Sequence, residues 1–137
     1  MTDLVITAAS VVPGTGAKKR TGTAGTTITA GQTVYLDSSD NKYKLYDADS
    51  ATAAVRALAG IALNGAANGQ PLTVQYEGNI TIGATVAAGV IYVGSDTAGG
   101  IMPAADIETG DYVTVIGVGI STTQIKLAFI ESGVAAA

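Results

Sequence analysis

Gly25-Thr26-Thr27-Ile28-Thr29-Ala30-Gly31 and Gly83-Ala84-Thr85-Val86-Ala87-Ala88-Gly89 decide how this chain folds. Both spell Gly-x-Thr-[Ile/Val]-x-Ala-Gly, at an offset of 58. The correspondence continues at an offset of 57 from Tyr35 to Tyr92, from Asp49 to Asp106, and from Gly60-Ile61-Ala62-Leu63 to Gly117-Val118-Gly119-Ile120. It closes at an offset of 55, with Leu72-Thr73-Val74-Gln75-Tyr76-Glu77-Gly78 against Leu127-Ala128-Phe129-Ile130-Glu131-Ser132-Gly133. An offset that holds across separated blocks and changes only in loops points to an internal duplication. Copy one spans about 25–78 and copy two about 83–133, the second having a last hairpin loop two residues shorter. Two copies are too few for a solenoid, so they are expected to pack as similar β-units of one domain.

Within each copy the Ala-Gly pair ends a short strand in a turn that needs positive φ, and an apolar run follows at once: Thr33 to Leu36, or Val90 to Val93. A polar turn (Asp37 to Asn41, or Gly94 to Gly100) then leads to a return strand, Tyr43 to Tyr46 or Ile101-Met102, which predicts a β-hairpin. Asp49 to Leu58 carries a helix signature, with an N-cap acid and Gly60 behind it. Its counterpart Tyr112-Val113-Thr114-Val115-Ile116 alternates as a β-branched strand, so the helix is confined to one or two turns from Ser50, and Leu58 to Leu63 is expected as a strand. The closing strands bury Leu72, Val74 and Tyr76, or Ile125, Leu127 and Phe129. Met1 to Ala24 reads as an extended N-terminal arm, in which Leu4-Val5-Ile6 suits a strand and Pro13 to Gly22 does not. The expected fold is all-β: an arm over 1–24, then a compact barrel-like domain of two similar units over 25–137, with one short helix.

The composition agrees. Of 137 residues 47% are hydrophobic, yet only 13% are charged; there are 18 glycines, six Tyr, one Phe and no Trp. Small and β-branched residues in this proportion suit short strands joined by tight turns. So few charges leave a monomer little polar surface, which implies apolar surface buried against other chains. Eleven acids and seven bases give a net charge of −4, against a nucleic-acid partner, which selects a basic face. No basic-then-apolar leader opens the chain and no apolar run reaches the roughly 18 residues of a membrane span, so a soluble protein made without export and without a membrane partner is expected.

Chemistry is scarce. Without Cys or His there is no disulfide, thiolate, imidazole base or common zinc ligand. A hydroxyl nucleophile lacks its usual base and no Ser-x-x-Lys occurs, so no enzyme and no catalytic residue is expected. Gly14-Thr15-Gly16-Ala17-Lys18-Lys19 does not have phosphate-loop spacing and reads as a flexible basic loop. Asp37, Asp40 and Asn41, or Asp106, Glu108 and Asp111, carry carboxylates suited to a hard cation, but neither set matches an EF-hand and turn formation accounts for them. No metal and no cofactor is assigned. Tyr35 and Tyr92 are repeat-equivalent and are expected in the core with a hydroxyl at the rim. Lys18-Lys19-Arg20 holds three of the seven bases and could steer the arm to an acidic surface.

The two hairpins, Gly60-Ile61-Ala62-Leu63, Gly69-Gln70-Pro71-Leu72-Thr73-Val74 and Tyr112-Val113-Thr114-Val115-Ile116-Gly117 together resemble tailed-bacteriophage capsid decoration, or cement, proteins. The likeness covers about 29–133 and is one of pattern. It implies a small β-barrel- or β-tulip-like virion protein, made in the host cytoplasm and usually homotrimeric. Such a protein sits on the outer surface of the head and clamps neighbouring major capsid subunits. It also implies an N-terminal arm that orders on the capsid, with Leu4, Val5 and Ile6 adding to a capsid strand and Lys18, Lys19 and Arg20 at the contact. A fibre or receptor-binding module recognising a cell-surface glycan is the alternative.

Overall fold

A computed structural model describes residues 3–137. Among these residues ten strands form: β1 (Val11–Pro13), β2 (Lys18–Thr23), β3 (Thr33–Asp37), β4 (Lys42–Leu45), β5 (Gly60–Ala62), β6 (Pro71–Ile82), β7 (Ile91–Gly94), β8 (Ile101–Pro103), β9 (Tyr112–Gly119) and β10 (Gln124–Ala135). Helical geometry among the described residues is limited to 3-10 turns at Ala8–Ser10, Ala53–Arg56 and Ala104–Asp106. The chain is almost all β, and its antiparallel sheet curls like part of a barrel.

The pairing separates into two sets that share β6. In the first, β2 pairs with residues 71–77 of β6, β6 with β5, β5 with β3, and β3 with β4. In the second, residues 78–81 of β6 pair with β10, β10 with β9, β9 with β7, and β7 with β8. Read from its leading strand, each set has the same order: leading, closing, inner, first, return. The single strand β6 closes the first set and leads the second.

That double use requires a bend. Lys18 faces Glu77 whereas Lys19 faces Gln75, so one residue of β6, Tyr76, is extra and the strand bulges there. Two residues on, Gly78 has φ of 86°, and a Cβ would run into the backbone of Gly16 and Ala17, so only glycine fits. Gln75 is fully buried, and its Nε2 donates to the carbonyls of Glu77 and Asn79 at 3.0 and 2.8 Å, satisfying acceptors where β5 leaves the strand and β10 arrives.

The first set curls until Ala24, just past β2, meets Tyr43 of β4 in a parallel bridge, enclosing Ala24, Ile28, Val34, Tyr43, Ala62, Ala66, Leu72 and Val74. The second set has an N-terminal segment at the matching place. Leu4 N–H donates to the Ile101 carbonyl and Thr7 N–H to the Gly83 carbonyl, both at 2.8 Å. Its core includes Ile80, Ile82, Tyr92, Ile101, Ile116, Ile125 and Leu127, and takes in Tyr46, Ala48, Leu58 and Ile61 from the first set. The Tyr46 ring lies directly over Gly94, a position with no room for a side chain.

Two expectations are corrected. The helix from Ser50 is a single 3-10 turn, because the Asp47 and Ser50 side chains accept from the N–H groups of Asp49 and Thr52 and hold the backbone in turns instead. Pro13 to Gly22 is not a free loop. β1 and β2 run antiparallel along one edge of β6, with only Gly14–Ala17 looping out, because β6 would otherwise expose its polar backbone; Pro13 is tolerated at the end of an edge strand. Val74 pairs with Ala62 and Ile125 with Gly119, and the connection before the closing strand covers residues 63–70 in the first set and 120–123 in the second.

Candidate functional site

The N-terminal residues expected to contact a partner are already engaged with the body, in an alternating way. Leu4 and Ile6 are partly buried against the core, and Ile6 covers Gly31, which has φ of 94° in the Ala-Gly turn. Val5, between them, points outward and is 89% exposed. Asp3 anchors the start, its Oδ1 accepting from Ser95 Oγ at 2.6 Å. Met1 and Thr2 of the expected arm lie outside the described residues. Val11 continues the pattern inward, pairing with Ile82, while Val12 is 51% exposed.

The basic stretch is on β2, at the sheet edge. Lys18 pairs with Glu77 at 2.8 Å, and the Arg20 guanidinium lies 4.4 Å from the centre of the Tyr76 ring. Lys19 is exposed between them. Exposed pairs of this kind are screened by solvent and hold their partners weakly, so these charges are open to exchange for a partner's acids. The six predicted residues therefore fall along one N-terminal run: Leu4 and Ile6 fix it, whereas Val5, Lys18, Lys19 and Arg20 face out. Beside Val5 opens a shallow cavity of about 350 Å³, lined also by Thr7, Ser10, Thr81, Thr85 and Thr123. Its hydroxyl lining offers hydrogen bonds but no charge.

The carboxylate turns are internally satisfied. Asp37 accepts from Ser39 N–H and Oγ and from Lys44 Nζ at 2.6 Å, and Lys44 also reaches Asp40 at 3.1 Å. The Lys44 hydrogen bond and the Ser39 N–H hold Asp37 well below the usual carboxylate range. In the second turn, buried Asp111 accepts from the Glu108 N–H at 3.0 Å. Among the described residues no three acids converge into a metal-holding group. A looser collection of acids nonetheless shapes the electrostatics between the two sets. Burial, then a hydrogen bond and charge from Asp49, pushes Asp47 up to about 6. Asp96 is raised by burial first, then by Asp111, Glu108, Asp49 and Asp3.

Tyr35 and Tyr92 are both buried, at 8% and 3% exposure. The Tyr92 hydroxyl accepts from the Ala87 N–H at 2.9 Å, pinning the Ala-Gly turn of the second set. Sequence reasoning misses one constellation: Arg56 and Tyr112, far apart in the chain, stack with the guanidinium 3.4 Å from the ring centre. A solitary Arg after an alanine run carries no local signal of this, since its partner comes from β9.

No family model matches this chain, and no curated protein matches it.

Proposed function

We propose that this chain is a structural virion protein that binds the outside of a phage head and stabilises contacts between major capsid subunits, and that its two sets of strands are copies of one unit. The copies are supported by the common strand order, by Gly31 and Gly89 both at positive φ in the Ala-Gly turn, and by the buried pair Tyr35 and Tyr92. The resemblance described above supplies the class of partner, the major capsid protein, and self-association as a homotrimer. The carrying observation is the outward row of the N-terminal run: Val5 and Val12 exposed, with Lys18, Lys19 and Arg20 further along it.

This refines the mechanism. With Leu4 and Ile6 already seated, ordering of residues 3–7 is not left to the moment of binding, so less conformational entropy opposes the contact. Val5 and Val12 bury apolar area against the head while the basic stretch meets acids, and several linked copies raise avidity without new contacts. Deleting residues 1–24 would remove the edge strand of β6, so point substitution is the cleaner test. Val5→Asp, at a site with little packing to lose, should leave the melting temperature within about 2 °C, consistent with surface substitutions near ±0.5 kcal/mol. It should weaken co-sedimentation with heads stripped of the protein by about tenfold or more. Unchanged binding would remove the N-terminal run from the contact.

A further inference from the structure

The two sets of strands are closed in different ways. In the first, the chain runs on from β2 without a break: Ala24 bridges Tyr43, and the Gly25 N–H donates to the Tyr43 carbonyl at 2.7 Å. In the second, β6 ends at Ile82, and the span from Gly83 to β8 is bridged by residues 3–7, a separate piece of chain. The slot that takes this piece is floored by glycine. A Cβ on Gly31 would run into Ile6, one on Gly83 into the Thr7 carbonyl, and one on Gly100 into the Asp3 carboxylate. The carbonyls of Ile101 and Gly83 accept from Leu4 and Thr7, and the Ser95 hydroxyl, on a fully buried residue, donates to Asp3. Residues 3–7 are held as a bound peptide strand is held, by main-chain hydrogen bonds and alternate side chains.

Little ties this strand to the rest of the chain. β1 begins at Val11, and between lie only Ala8–Ser10, a 3-10 turn with no buried residue. Straightening the turn lengthens each of its residues from about 2 Å to about 3.3 Å. The hydrogen bond lost inside it is that of the Ser10 N–H to the Thr7 carbonyl.

We propose that residues 3–7 are an exchangeable strand: the slot on one copy of this chain receives residues 3–7 of a second copy, and the exchange links the copies. A strand that leaves its own slot for an identical one remakes the contacts it gave up, which makes such exchange a low-cost route to association. The partner is a second copy because the slot already matches this sequence at three glycines, at Ser95 and at two carbonyls. Linked copies also have apolar surface to bury, since Ile91 and Val118 pair across β7 and β9 and are 46% and 38% exposed. Once one strand has crossed, the next crossing between the same copies is effectively intramolecular. The inference stands on the slot and the turn and does not depend on a phage head.

The chain has no cysteine, so two full-length variants, Asp3→Cys and Ser95→Cys, test the exchange when mixed. No chain in the mixture carries both thiols, so a disulfide between positions 3 and 95 joins two copies, and burial leaves position 95 to a strand seated in the slot. After mild oxidation and digestion, mass spectrometry should find this link as a major product. Adding Ile6→Asp to the Asp3→Cys chain puts a charge into the slot and should reduce the link at least about tenfold. A second measurement needs no substitution. In an equal mixture of carbon-13-labelled and unlabelled chain, isotope-filtered NMR should show contacts from the Ile6 methyls of one label to the Gly31 α-protons of the other. An equal yield of the link with Ile6→Asp would overturn the proposal. So would Ile6 to Gly31 contacts confined within each label, and where the two measurements differ the unsubstituted chain decides.

Discussion

Gly78 allows β6 to serve both sets of strands, because its φ of 86° and the backbone of Gly16 and Ala17 against it leave no place for a Cβ. Gly78→Ala should cost at least about 2 kcal/mol in urea unfolding, combining left-handed strain with a backbone clash. Gly69→Ala, with similar φ but open space around it, should cost only about 1 kcal/mol. Equal losses would mean that strain alone matters at the bend. Asp47 makes a separate prediction. Its carboxyl is held near 6 in the fold, against about 3.9 when unfolded, so the folded state binds the proton more tightly. Stability from this group is fully present below about pH 4 and is lost as pH rises through 6. Asp37 acts oppositely: its depressed value contributes stability above about pH 4 that disappears on acidification. Asp47→Asn should therefore raise stability at pH 7 by about 1 kcal/mol after allowing for solvent screening, and leave it nearly unchanged at pH 4. Thermal melts at the two pH values measure this; an equal gain at both would refute the assignment.

At the scale of elements, the N-terminal segment is bound to the second set by two backbone hydrogen bonds, the Asp3 to Ser95 contact and the packing of Leu4 and Ile6. Ile6→Asp should release residues 3–7, seen as fast amide exchange at Leu4 and Thr7, while Val11–Pro13 and the rest of the sheet stay protected. Exchange as slow as in the original chain would show that Ile6 does not hold the segment. Much of this architecture is legible in the sequence, because the hairpins at Thr33–Leu45 and Ile91–Pro103 are local and carry turn residues at their tips. The Asp47-to-Arg56 segment is less so: alanines favour a helix, while side-chain acceptors at Asp47 and Ser50 win locally. β2 escapes because Lys18-Lys19-Arg20-Thr21-Gly22 has no apolar alternation; its strand state is imposed by the open edge of β6, some fifty residues away. For the same reason the Arg56 and Tyr112 stack has no sequence signature.

At the scale of the whole molecule, the chain is an almost wholly β body whose most exposed large apolar residues are Val5 and Val12 on the N-terminal run and Ile130 and Val134 on β10, with Leu36, Ile91, Val118 and Ile120 exposed to a lesser degree elsewhere on the sheet. That distribution suits a protein whose work is contact. In the proposed role, the surface turned to a phage head is the one bearing Val5, Val12 and the exposed side of β2. Density for this chain on the intact phage particle is the most direct measurement. The proposed role requires the chain on the outside of the head, in repeated positions across capsid subunit boundaries, with Val5 and Val12 turned toward the shell. A chain confined to a tail fibre, or one on the head with the N-terminal run facing solvent, would contradict it.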